Sequence, residues 1–241
     1  MSKNTLALLV AAALTVPAVA SANDFSGFGV SADLLLKSTG AEVKTKYVES
    51  YGSSTYTDSM KEDEGGKQNV LAGLNVWYGF DITSCVVLQV GATADLGKHD
   101  VAKFRDSDGY SAKVEEKNHY SFYVAPGYLV TPKTLVYGKL AYHNTKLKMD
   151  GNDFGYYESD DVNGSKRFNG WGLGGGISTM LTDNLFVYAE AQHVWYESKK
   201  IFSYSDSGGG GGGSTPTWSE HEQVKAQPNS TIGVIGIGYN F

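Results

Sequence analysis

The chain has 241 residues, 41% of them apolar and 12% aromatic, and 30 are glycine, which marks a Tyr- and Gly-rich β protein and not a disordered one. A formal charge of −6 without any basic stripe excludes nucleic acid as the expected partner. Cys85 is the only cysteine, which excludes an internal disulfide and a multi-cysteine zinc site.

Residues 1–22 have the form of an export signal. Lys3 supplies the positive start, Leu6 to Val16 the apolar stretch, and Ala20-Ser21-Ala22 the small-residue cleavage site. That stretch is too short to span a membrane as a helix. Cleavage after Ala22 is expected, leaving residues 23–241 as one exported domain.

The rest of the chain alternates with period 2 in eight runs. The first sets Phe28, Val30, Ala32, Leu34 and Leu36 opposite Gly29, Ser31, Asp33 and Leu35. In the second, Val70, Ala72, Leu74, Val76, Tyr78 and Phe80 oppose Gly73, Asn75 and Gly79, with Trp77 as a bulky exception. Val86, Leu88, Val90, Ala92, Ala94 and Leu96 form the apolar face of the third, opposite Gln89, Thr93 and Asp95. Next, Tyr120, Phe122, Val124 and Tyr128 oppose His119, Ser121, Ala125 and Gly127, and Val136, Leu140 and Tyr142 oppose Tyr137, Lys139 and His143. Trp171, Leu173 and Ile177 then face away from Gly170, Gly172, Gly174 and Gly176. Val187, Ala189, Ala191 and Trp195 oppose Tyr188, Glu190 and Gln192, with His193 a blemish on the apolar side. The last run places Ile235, Ile237, Tyr239 and Phe241 opposite Val234, Gly236, Gly238 and Asn240.

One face is greasy and the other small, polar and in places charged, whereas a soluble sandwich needs an apolar inner face. Connections alternate strictly. Residues 38–66, 98–117, 147–167 and 197–228 are long, polar and expected to be irregular; Asp81 to Ser84, Thr131 to Lys133 and Thr182 to Asn184 are tight turns. Short turns at one end, long loops at the other, an even strand count and aromatics at both rims define an outer-membrane barrel. In hydrocarbon each unpaired backbone group costs several kcal/mol, so such a sheet must close. The predicted fold is all-β: a closed antiparallel eight-stranded transmembrane β-barrel, its long loops extracellular. Eight strands leave an interior that side chains can fill.

Specific segments carry a family likeness. The glycine run from Gly170 to Gly176, the turn from Leu181 to Leu185 and the Tyr188-Ala189-Glu190 triplet resemble the eight-stranded outer-membrane barrels of the OmpA transmembrane domain, OmpX and the Opa-like opacity proteins. Gly236, Tyr239 and Phe241 resemble the terminal signal that these proteins present to the barrel assembly machinery, although Val234 replaces a usual polar residue. The resemblance implies residence in a Gram-negative outer membrane, among lipid and lipopolysaccharide. With residue 241 closing the eighth run, no peptidoglycan-binding domain is expected to follow.

Candidate sites follow from this frame. Lys139 and Glu190 are the best inward pair, with Asp33, Asp95 and His143 as neighbours in a narrow lumen, and the expected role is structural ion pairing. His119-Tyr120-Ser121 resembles the His-x-Ser of the lipid A deacylases but faces the lumen, so no catalytic residue is assigned and no enzyme is expected. Asp106 to Gly109, Asp150 to Asp153 and Glu220-His221-Glu222 are incomplete as metal motifs, and no metal or cofactor is expected. The long loops carry Tyr47, Tyr51, Tyr56, Tyr110, Tyr156, Tyr157, Tyr204 and Trp218 among small and acidic residues, a recognition-type composition. Gly208 to Gly213 is a flexible tether, and Cys85 a lone thiol. The expected role is a structural and adhesin-like one toward a host or matrix ligand. The alternatives are a narrow porin-like channel for small solutes and, behind it, a lipid A hydrolase.

Overall fold

A computed structural model describes residues 24–105, 111–152, 164–208 and 218–241. Ten strands follow in order: β1 (Gly27–Tyr51), β2 (Ser54–Thr83), β3 (Val86–Leu96), β4 (Lys98–Arg105), β5 (Ser111–Thr131), β6 (Thr134–Asn152), β7 (Gly164–Met180), β8 (Leu185–Tyr196), β9 (Lys199–Gly208) and β10 (Trp218–Asn240). They make eight staves. β4 continues β3 along β5 past Gly97, whose φ of 110° no L side chain holds without strain. β9 likewise continues β8 along β10.

Every neighbouring pair is antiparallel, and β1 pairs with β10 from Gly29↔Asn240 to Tyr51↔Trp218, which closes the barrel. The tight turns share one device: a threonine hydroxyl accepts from the backbone just after it. Thr83 Oγ1 takes Val86 N–H at 3.1 Å, Thr182 Oγ1 takes Leu185 N–H at 3.0 Å, and Thr131 Oγ1 takes Lys133 N–H at 3.3 Å.

The burial pattern obeys the alternation. Leu36, Phe122, Leu140, Leu173, Ile177 and Ile235 stand exposed on the outer wall, while Leu35, Trp77, Tyr137 and Val234 are buried inside with Asp33, Lys139 and Glu190. Aromatic clusters ring both rims of the exposed apolar band. Tyr142 and Trp171 meet edge-on at 5.3 Å at one rim, and Phe28, Tyr239 and Phe241 cluster at the turn end with centroids 5.6 and 5.0 Å apart. His193, out of place on the greasy face, bonds the Thr231 hydroxyl at 2.9 Å and packs edge-on to Trp195. Two outward polar groups thus satisfy one another.

The long connections correct the expectation of irregular loops. Of residues 38–66, only 52–53 interrupt strand, because β1 runs to Tyr51 and β2 starts at Ser54. Described parts of 98–117, 147–167 and 197–228 are also largely strand. The 30 residues of β2 extend about 100 Å along the strand, whereas crossing a bilayer takes about 9–11 residues. Past Leu96 and Tyr196 the wall divides into two projecting sheets, β2–β1–β10–β9 and β4–β5–β6–β7.

Candidate functional site

Small residues in the wall make room for large ones in the lumen. A Cβ on Gly236 would lie 2.1 Å from the Tyr188 ring, and one on Gly29 would lie 2.2 Å from the Trp77 indole. Inward aromatics therefore lie flat on glycines of the neighbouring strand, and the interior fills in layers.

Nearest the turns, Trp77 meets Phe186 edge-on at 5.2 Å, with Phe25 and Met180 buried in the same apolar cluster. Above them, Lys139 Nζ lies 2.8 and 3.1 Å from the two Glu190 oxygens and 4.2 Å over the Tyr123 ring. Tyr137 donates to Glu190 at 3.1 Å, and Tyr123 donates to Asn75 at 3.0 Å. Asp33 accepts from Tyr188 at 2.6 Å and from Ser31 at 2.7 Å. Voids of about 20 and 10 Å³ lie between these side chains, each on the order of one water.

Asp95 belongs to a second cluster, further from the turns and separate from the Lys139–Glu190 pair. Lys37 Nζ sits between Glu116 at 2.6 Å and Asp95 at 3.2 Å. His99 Nε2 reaches Glu116 at 3.1 Å, His119 Nδ1 reaches Asp95 at 2.8 Å, and Thr145 donates to Glu116 at 2.7 Å. The chain of contacts ends with His119 Nε2 at 3.0 Å from His143 Nδ1, the rings stacked at 5.2 Å. Ligand-type atoms of Asp95, Glu116 and His119 fall within 4.8 Å of one another, a spacing that suits a divalent ion, but the Lys37 ammonium already supplies the positive charge there. Two residues further out on their strands, Val101, Val114 and Leu147 are buried together with Phe168 and cap the polar layer.

His119 and Ser121 share a strand face but not a task. Ser121 Oγ pairs with Thr93 Oγ1 at 2.7 Å, while His119 is committed to Asp95 and His143. A nucleophile needs its base within hydrogen-bond reach. Neither residue reaches the lipid side, since both are buried in the lumen.

The projecting sheet β2–β1–β10–β9 carries the remaining predicted positions. Tyr51 and Tyr56 are exposed, Tyr47 and Trp218 half-exposed, and Trp218 lies against Gly208. Partial desolvation, and then the hydrogen bond that Tyr47 donates to Glu220, push its phenol up to about 12. Tyr51 is raised by its bond to Glu49. Tyr110, Tyr156 and Tyr157, the tract from Gly209 to Gly213, the fragment Asp106 to Gly109 and the side chain of Tyr204 lie outside the described residues. So does the leader of residues 1–22. Gly236 faces inward, whereas Tyr239 and Phe241 are exposed at the turn-end rim.

A closed wall, greasy outside and polar inside with a filled lumen, defines an integral β-barrel of the outer-membrane type. The chain belongs to the outer membrane protein beta-barrel domain family, whose model matches residues 6–241, and this places it in the bacterial outer membrane. No curated protein sequence matches it. Among solved structures it is similar to the Yersinia pestis attachment invasion locus protein Ail in complex with the heparin analogue sucrose octasulfate, at 14% identity and a TM-score of 0.40, covering 86% of this chain and 99% of that one. OprG of Pseudomonas aeruginosa gives 14% identity and a TM-score of 0.44, covering 91% and 98%. Neisserial surface protein A gives 16% and 0.37, covering 90% and 98%.

Proposed function

We propose that this barrel is a non-enzymatic surface-interaction protein, adhesin-like in its concrete form, whose projecting sheets engage a host or matrix ligand. The observation that carries the reading is the division of labour along the wall. Side chains fill the membrane-crossing part around small voids of about 20 and 10 Å³, while strands rise well beyond the apolar band and present Tyr51 and Tyr56 to solvent. Binding residues on a rigid scaffold clear of the membrane are the usual arrangement for recognition. In this reading the leader is cleaved after Ala22, the turns face the periplasm, and Gly236, Tyr239 and Phe241 guide the chain to the barrel assembly machinery.

The test replaces residues 42–63 and 200–225 by short turns, which keeps Lys37 and the filled lumen intact. Trimmed cells are expected to lose adherence to epithelial cells and to matrix-coated wells, with the trimmed barrel still migrating as a folded band before heating. Undiminished adherence overturns the reading. Stable single-channel conductance by the intact protein in planar bilayers would replace it with the channel function.

A further inference from the structure

The distal part of the sheet β2–β1–β10–β9 has two unlike faces. Register sets Asp206, Glu220, Glu49 and Tyr56 in one row across the four strands, and Gly208, Trp218, Tyr51 and Ser54 in the next. Tyr47 and Asp58 lie opposite each other in the row below. All share the face that continues the lumen wall, because β1 keeps its odd residues inward from Ser31 to Thr39 without a break. The other face carries Lys44, Lys46 and His221 with serines and threonines.

Among the described residues of this distal segment, Lys and Arg are absent from the aromatic face, while Glu49, Asp58 and Glu220 stand on it. Glu220 is directly opposite Glu49. Like charges opposed across strands destabilise a sheet, and nothing in the local register requires them. The hydroxyls of Tyr47 and Tyr51 hydrogen-bond Glu220 and Glu49, which holds these two acids in place. Next to them lie exposed aromatic rings, the other half of what a cation needs.

We propose that this face is a docking site for a basic, arginine-bearing peptide segment of a partner protein. Guanidinium groups fit it better than ammonium groups, because they bond carboxylates two at a time and stack on aromatic planes. A sulfated or phosphorylated glycan would meet the carboxylates of Glu49, Asp58 and Glu220. A neutral glycan would use the rings but bring no charge to the opposed Glu49 and Glu220. The proposal rests on the surface-interaction reading and names the chemistry of its partner.

The experiment uses the full chain refolded in zwitterionic micelles and a fluorescein-labelled nona-arginine peptide read by anisotropy. Nona-lysine, a heparin oligosaccharide and maltoheptaose are run beside it. The expected order is arginine above lysine, with neither glycan binding, and affinity falling as salt is raised. Tyr51→Ala/Tyr56→Ala and Glu49→Gln/Asp58→Asn/Glu220→Gln should each weaken the arginine peptide about tenfold or more. Lys44→Ser/Lys46→Ser, on the opposite face, should leave it unchanged. Equal binding by wild type and aromatic-face variants of verified fold overturns the site, as does preference for either glycan. The two readings fail separately. Peptide binding lost in the face variants with cell adherence intact upholds the cationic site and contradicts adhesion through it. Adherence lost on trimming, without any peptide binding, overturns the site alone.

Discussion

Lys37→Met is expected to cost about 3–5 kcal/mol of barrel stability, because it leaves Asp95 and Glu116 buried around a methyl group. The Lys37 ammonium has no exposed surface and touches both carboxylates, so water cannot replace it. Removing one partner of a buried ion pair strands the other charge, and that stranded charge carries the penalty. Adding Asp95→Asn and Glu116→Gln to Lys37→Met should restore most of the loss, since the remaining groups can then hydrogen-bond as neutral amides. Urea unfolding of the refolded chain in micelles, followed by tryptophan fluorescence, measures both. A loss for Lys37→Met below about 1 kcal/mol, the range of exposed pairs, would show that the cluster is hydrated.

The second large effect lies on the opposite side of the wall. Ile177 sits between Trp171 at one rim and Leu181 at the other, beside Val136 and Ala189 on the flanking strands. Ile177→Lys places an ammonium near the middle of the apolar band and is expected to cost about 2–4 kcal/mol in phospholipid vesicles. Leu181→Lys, at the rim, should cost no more than about 1 kcal/mol, because the side chain can reach the headgroups. In a water-soluble sandwich both positions would be ordinary surface sites and neither change would register. Equal costs at the two depths would contradict the assigned band.

The barrel was legible in the chain because its middle separates two environments. Between Phe28 and Leu36, or Val136 and Tyr142, lipid demands one kind of side chain and the lumen another, so the period of 2 is written plainly. Beyond the band both faces of a strand meet water, and the alternation fades while the strand itself continues. This is why residues 38–66 read as a loop although β1 and β2 traverse most of them. The inner cluster was hidden for the same reason. Lys37, His99 and Glu116 stand past the last apolar residue of their runs, in stretches without hydrophobic contrast. A signal was present nonetheless: Lys37 keeps the inward parity of Ser31, Asp33 and Leu35, and the histidines at 99 and 119 lie near acids. Lys139 and Glu190 stood out because they interrupt strongly apolar runs. Their contact at 2.8 Å depends on strand register, which alternation alone does not specify. The aromatic-acidic face was visible only as composition. Its rows require knowing that β9, β10, β1 and β2 lie side by side.

The claim on which the account turns is that Val136, Leu140 and Tyr142 touch lipid while Tyr137, Lys139 and Ala141 line a packed interior. Nitroxide scanning of residues 136–142 tests it most directly, in a Cys85→Ser background reconstituted into phospholipid bilayers. Collision with oxygen, which concentrates in hydrocarbon, should peak at 136, 138, 140 and 142, while labels at 137, 139 and 141 should be immobile and shielded from both oxygen and a water-soluble nickel chelate. Nickel collisions that dominate at 136 and 140 would put those side chains in water and contradict the barrel's orientation.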